Sequence, residues 1–234
     1  MKGILFSAPM VRAIIEGRKT QTRRIVKPQP TKPTENYKPD LYRGKKPNEW
    51  AFWMPDNRMS EPRTWFPQYQ PGETIAVREA FKTFDCYDHM TPKDIADMYD
   101  ARKEQDYLGT APLLYLADQK MNARGSLVMG GTKNVYKWGR YRHARFMPAA
   151  LARLHITIAA VRIERLQDIS AEDAIAEGID RRMDGPDEEY SGSSNTWHWR
   201  PSSAYRDLWE SINGPDSWTA NPWVWVYTFR KITP

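Results

Sequence analysis

Apolar and polar positions alternate most clearly from Leu154 to Leu166 (LHITIAAVRIERL), where Ile156, Ile158, Ala160 and Ile163 are offered to one side. This segment predicts the longest strand and the spine of a sheet. Thr74 to Glu79 (TIAVRE) alternates over a shorter span and predicts a strand that delivers Arg78 and Glu79 near its end. Lys2 to Ser7 predicts a short buried strand, and Trp223 to Ile232 a closing one. Helical spacing appears in three places. Ala8-Pro9 opens a helix with Met10, Ala13 and Ile14 on one side, and Gly17 stops it. Ser170 caps Ala171 to Glu177, with Asp173 in the capping-box position and Gly178 beyond, which places Glu177 at the helix C-terminus. Pro201 to Asn213 is amphipathic, with Tyr205, Leu208, Trp209 and Ile212 inward.

Between these elements lie three long excursions. Residues 27–71 are rich in Pro, Lys, Asn and Trp without a sustained period, and a Pro71-Gly72 turn ends them. Residues 82–150 hold a helix expected from Pro92 to Lys103, a short strand around Leu113 to Leu116, and the basic and aromatic run Tyr136 to Phe146. Arg181 to Thr196 is polar and Gly/Ser-rich and reads as a mobile loop, within a third excursion spanning 181–200. Few strands, short connecting helices and no βαβ rhythm give an α+β expectation: one domain over 1–234, a small, mixed, partly closed β-barrel with helices at its sides. A doubly wound sheet does not fit this order.

Composition narrows the chemistry. The chain has 234 residues and a formal charge of +6 with pI near 9.3, which suits polyanions or phosphate-bearing ligands. One cysteine, Cys86, excludes an intrachain disulfide framework, and no apolar run approaches a membrane span or a secretory core. A soluble cytoplasmic protein with no membrane partner is expected. His89, His143, His155 and His198 are scattered without metal-ligand spacing, so no metal is expected. No Ser-His-Asp arrangement and no Gly-rich phosphate loop occur.

The sharpest chemistry lies in Gly17-Arg18-Lys19-Thr20-Gln21-Thr22-Arg23-Arg24. On a helical turn Lys19 and Thr22 share a face, and Arg18, Arg23 and Arg24 raise the local positive potential. A lysine crowded by guanidinium groups and desolvated has a lowered pKa, and a neutral amine can take a proton from a hydroxyl. The same residues also read as a basic helix end complementing the helix dipole. Two further sites carry paired readings. Arg78 and Glu79 either bind a sugar or base edge or pair with neighbouring strands. Trp138, with Tyr136 and Tyr141 among Lys137, Arg140 and Arg142, either stacks on bases or pins a surface loop.

The segments GRKTQTRR, PGETIAVRE, LQDISAEDAIAEGI and NPWVWVYTFRKI together resemble the ASCH domain, a PUA-like fold, over about half the chain. Long phage and prophage members are similar throughout, whereas short bacterial members lack the three excursions. The family motif G-x-K-x-x-E-x-R falls on Gly17, Lys19, Thr22 and Arg24, with threonine at the usual acidic position. Short members that hydrolyse N4-acetylcytidine to cytidine and acetate are similar in carrying threonine there. The resemblance therefore implies a catalytic set of Lys19, Thr22 and Glu177, with Glu172 as the alternative for the third; Arg24, Arg78, Glu79 and Trp138 are the substrate-binding candidates that the residues themselves offer.

The expected activity is a metal-independent amidohydrolase on N4-acylated cytosine bases or nucleosides, and this amide hydrolysis calls for no organic cofactor. Lys19 takes the Thr22 proton or that of a water, and Glu177 orients Lys19 or passes a proton to N4. Two rivals stand beside it: an RNA- or modified-nucleobase-binding module without catalysis, and a phage-encoded interaction protein.

Overall fold

The structure is a computed structural model that describes residues 1–29, 40–43, 50–54, 63–103, 114–115, 138–184, 187–192 and 196–232. In chain order the first elements are β1 (Gly3–Leu5), α1 (Ala8–Ile15), β2 (Gln21–Ile25), β3 (Asp40–Arg43), β4 (Trp50–Met54), β5 (Arg63–Trp65) and β6 (Thr74–Arg78). Then come β7 (Phe81–Lys82), α2 (Pro92–Lys103), β8 (Leu114–Tyr115), β9 (His155–Arg165) and α3 (Ala171–Ala176). The chain closes with β10 (Asp180–Asp184), β11 (Asp187–Ser191), α4 (Pro201–Asn213) and β12 (Trp223–Ile232).

The chain forms two compact units, each discontinuous in sequence. The first comprises Met1–Ile15, Thr74–Ile156 and Ile232–Pro234. Here β1 runs parallel to β6, with Ile4 opposite Val77, and Val77 N–H donates to Leu154 C=O at 2.9 Å as the chain enters β9. Val11, Ala13 and Ile14 of α1 are buried; the apolar stripe centres on Val11 instead of Met10. Phe81, Ile95, Ala96, Met147 and Leu151 make a second apolar cluster beneath α2.

The second unit comprises Glu16–Glu73 and Thr157–Lys231. It carries β9, β12 and β2 as neighbours, with β12 and β2 antiparallel and Tyr227 opposite Thr22. With β9 shared, the strand order is β1-β6-β9-β12-β2, a five-stranded mixed sheet in an α+β chain. Among the described residues no pairing closes it into a barrel. Ser170 Oγ accepts the Asp173 N–H at 3.1 Å and Gly178 leaves α3 at φ +86°, as its capping pattern requires.

Five expectations are corrected. Residues 21–25 are strand, not a helical turn: Gly17 at φ +79° ends α1, and the chain then pairs with β12. Arg181 to Thr196 is not a loop throughout, because β10 and β11 form an antiparallel hairpin. Its period-two signal resides in charges: Arg182 faces Glu189 directly across the hairpin and pairs with it at 2.7 Å. The excursion 27–71 contains a three-stranded antiparallel sheet, β3-β4-β5. Ala160 is exposed, because the inward positions of β9 change from Ile156 and Ile158 to Val161 and Ile163, a phase change of one residue. Ile212 likewise lies outside the buried side of α4, which Ala204, Tyr205, Leu208 and Trp209 form. Tyr136, Lys137 and much of the two longer excursions lie outside the described residues.

Candidate functional site

The second unit gathers six ionic side chains where α3 meets β2 and β9. In a strand successive side chains point to opposite sides, so Gln21 and Arg23 leave β2 toward α3. Lys19, just before the strand, reaches the same helix end. Its Nζ donates to the Glu177 carbonyl at 2.6 Å and to Glu177 Oε2 at 2.8 Å. Gln21 Nε2 donates to Asp173 Oδ1 at 3.1 Å. Arg23 bonds three carboxylates: Glu164 Oε1 at 2.5 Å, Asp173 Oδ2 at 2.8 Å and Glu177 Oε1 at 3.1 Å. Arg162 joins Glu164 at 2.9 Å and also contacts Asp173. Three cations meet three anions, so the cluster is neutral when all are ionised.

Neutrality is what allows these groups to be enclosed. Isolated charges in such a place would cost several kcal/mol each, about the penalty that close partners must offset. The side chains of Lys19 and Arg23 are both 0% exposed. The Thr20 N–H also donates to the Ala176 carbonyl at 2.9 Å, so backbone and side chains together fasten the short helix α3 to the strand. A cation beside the last carbonyls of α3 further suits the negative end of the helix dipole.

The environment separates the two inner cations. Burial lowers the Lys19 pKa below its ordinary 10.5; Glu177 opposes this by charge and hydrogen bond, while Arg24 and Arg23 add to it. Burial works against the Arg23 charge, but Glu177 and Glu164 outweigh it and hold Arg23 above its ordinary value. Asp173 is depressed: burial opposes its charge, but Arg162, Gln21 and Arg23 prevail. The Tyr205 ring packs 5.7 Å from the Arg23 guanidinium carbon, and burial keeps its hydroxyl protonated far above the usual range. Lys19 is therefore the cation of this cluster that can become neutral, since a guanidinium does not deprotonate.

Lys19 and Glu177, 158 positions apart, are brought together. Thr22 is not joined to Lys19: it is buried, alternation places it away from Gln21 and Arg23, and its hydroxyl makes no hydrogen bond to a described residue. The shared helical face of Lys19 and Thr22 is thus corrected: Thr22 lies on β2, Lys19 just before it, and no hydrogen bond joins the two. Arg24 lies across from Trp225 in the β2–β12 pairing. Glu172, the alternative acid, stands in the exposed first turn of α3.

The remaining candidates lie in the first unit. Arg78 packs against Gly3, where a Cβ would come within 2.2 Å of its Nε. Glu79 is buried, and Arg153 holds both its carboxylate oxygens, at 2.9 and 3.2 Å. Trp138 stacks on Phe84 with ring centroids 5.1 Å apart, in an isolated bridge between their backbones.

Sequence reading missed Gln21, Arg23, Arg162, Glu164 and Asp173 as one cluster. The signal was present as period-two spacing: Lys19, Gln21 and Arg23 on one segment, Arg162 and Glu164 on the other. Among the described residues no three His, Cys, Asp or Glu side chains are placed to hold a metal ion, and no helix is long and apolar enough to cross a membrane. Compared with known proteins, the chain matches no family model, no curated protein and no solved structure.

Proposed function

We propose that this chain is a PUA-like, ASCH-type amidohydrolase that cleaves the acyl amide of N4-acylated cytosine bases or nucleosides, releasing cytidine and acetate from N4-acetylcytidine. The observation that carries this reading is the enclosed Lys19 amine, held at 2.8 Å by Glu177 and with its pKa lowered by burial. A purely structural cation at this position would serve as well as arginine. A lysine adds the capacity to accept a proton.

Neutral Lys19 takes a proton from water, and the hydroxide equivalent attacks the acyl carbonyl to give a tetrahedral oxyanion. The Lys19 ammonium then returns the proton to N4 as the C–N bond breaks, so cytosine leaves neutral and the acyl group leaves as its acid. Glu177 orients the amine and stabilises its charged form. Arg24 alternates to the Thr22 side of β2, away from Arg23, and takes no part in this step. Water replaces Thr22 as nucleophile because the two heads do not meet. The amine is closed off at rest, so the Glu177 carboxylate must yield when substrate enters.

Chromatography of N4-acetylcytidine, N4-acetylcytosine and N4-benzoylcytidine incubated with purified protein tests the reading. Lys19→Met and Lys19→Arg should both remove product formation, because neither side chain can act as a base, while Lys19→Arg keeps the charge beside Glu177. Turnover surviving in Lys19→Arg rejects the base assignment. Residual turnover in Thr22→Val rejects threonine as nucleophile, and no product from wild-type protein on any of the three compounds rejects the hydrolase.

A further inference from the structure

The first unit presents a surface strip that the cluster at Lys19 does not use. Residues 81–84 and 138–142 lie side by side, with bridges from Phe81 to Arg142 and from Phe84 to Trp138. Phe81 and Arg142 are buried together. Alternation then turns Lys82 and Tyr141 to the opposite, outer side, and Tyr141 is 56% exposed. The chain continues with exposed His143, Arg145 and Phe146, the last 57% exposed with the Arg145 guanidinium carbon 5.5 Å from its ring centre.

Charge on this stretch has one sign. From Arg140 to Phe146 the sequence carries three arginines and no aspartate or glutamate. The carboxylate that does approach, from Asp88, accepts the Arg140 backbone N–H at 2.9 and 3.0 Å and lies 4.0 Å from buried Arg142. It fixes the turn and leaves the exposed guanidinium groups of Arg140 and Arg145 without a carboxylate partner among the described residues. Gly139 is required for that closeness, since a Cβ there would meet the Asp88 carboxylate at 2.4 Å.

We infer that the strip from Arg140 to Phe146 binds single-stranded nucleic acid. Exposed rings beside the exposed Arg140 and Arg145 match a strand whose bases are unstacked and whose phosphates are regularly spaced. A duplex hides its base faces and offers Tyr141 and Phe146 nothing to stack on. An acidic protein surface would satisfy the arginines and leave the rings without comparable planar partners. The inference stands apart from the hydrolase reading, and protein inert toward N4-acetylcytidine should still bind.

Fluorescence anisotropy of fluorescein-labelled mixed-sequence 20-mers, as single-stranded RNA, single-stranded DNA and duplex DNA, tests this on the full chain across 50 to 200 mM KCl. Both single strands should bind more tightly than the duplex. Arg140→Ala with Arg145→Ala should weaken binding and reduce the slope of log K against log salt by about 1.4, two phosphate contacts at about 0.7 each. Tyr141→Ala with Phe146→Ala should weaken it about 5- to 150-fold for each ring that stacks, leaving the salt slope unchanged. Absence of single-strand binding, preference for the duplex, or full affinity in both double variants overturns the inference.

Discussion

Arg23 is the residue on which the cluster turns, because it touches Glu164, Asp173 and Glu177 together. Replacing it with Met leaves three carboxylates to share Lys19 and Arg162, and should cost about 3–5 kcal/mol in urea unfolding, the usual penalty for removing one partner of a buried ion pair. Acid should act through Asp173. Its folded pKa is lowered, so its stabilising contribution is complete above the unfolded value of about 3.9 and is lost as pH falls through the folded one. An Asp173→Asn variant should flatten the loss of stability in that acid window, measured by urea midpoints across pH. Lys19 gives the opposite limb. Its pKa is lowered from 10.5, so turnover should rise with pH over a range below that value as the amine becomes neutral, in the kcat/KM profile on N4-acetylcytidine. A flat profile there removes Lys19 as the base.

Elements with local punctuation were readable from residues alone: α2 between Pro92 and Lys103, α4 behind Pro201, and α3 between Ser170 and Gly178. The hairpin β10–β11 escaped because its alternation is carried by Arg182 and Glu189, which a search for apolar periodicity passes over. The strand β2 escaped for the same reason, since QTRRI presents no alternating apolar residues and its partners, Glu164, Glu177 and strand β12, are all remote in sequence. At the candidate site Lys19 and Glu177 could be nominated, but the divergence of Thr22 depended on strand geometry that spacing alone does not specify. Packing of the hairpin can be probed at Gly192, where a Cβ would lie 2.1 Å from the Ala204 carbonyl oxygen of α4. Gly192→Ala should force the hairpin off the helix and cost about 1–3 kcal/mol in thermal or urea unfolding.

Each of the two units is assembled from segments separated in sequence, with β1 and β6 of the first unit divided by residues that build the second. A fragment spanning residues 74–156 lacks β1, the parallel partner of β6, and should show no cooperative unfolding by circular dichroism. Residues 1–15 joined to it through a Gly/Ser linker should restore a cooperative transition. Pairing of β2 with β12 has a related consequence for how the molecule assembles itself. Sliding β2 by a single position would send Gln21 and Arg23 toward the aromatic side occupied by Tyr227 and Trp225, and strip Asp173 and Glu164 of their counter-ions. Misalignment is thus heavily penalised on both sides at once, and a chain that docks this edge wrongly has every incentive to let go and try again.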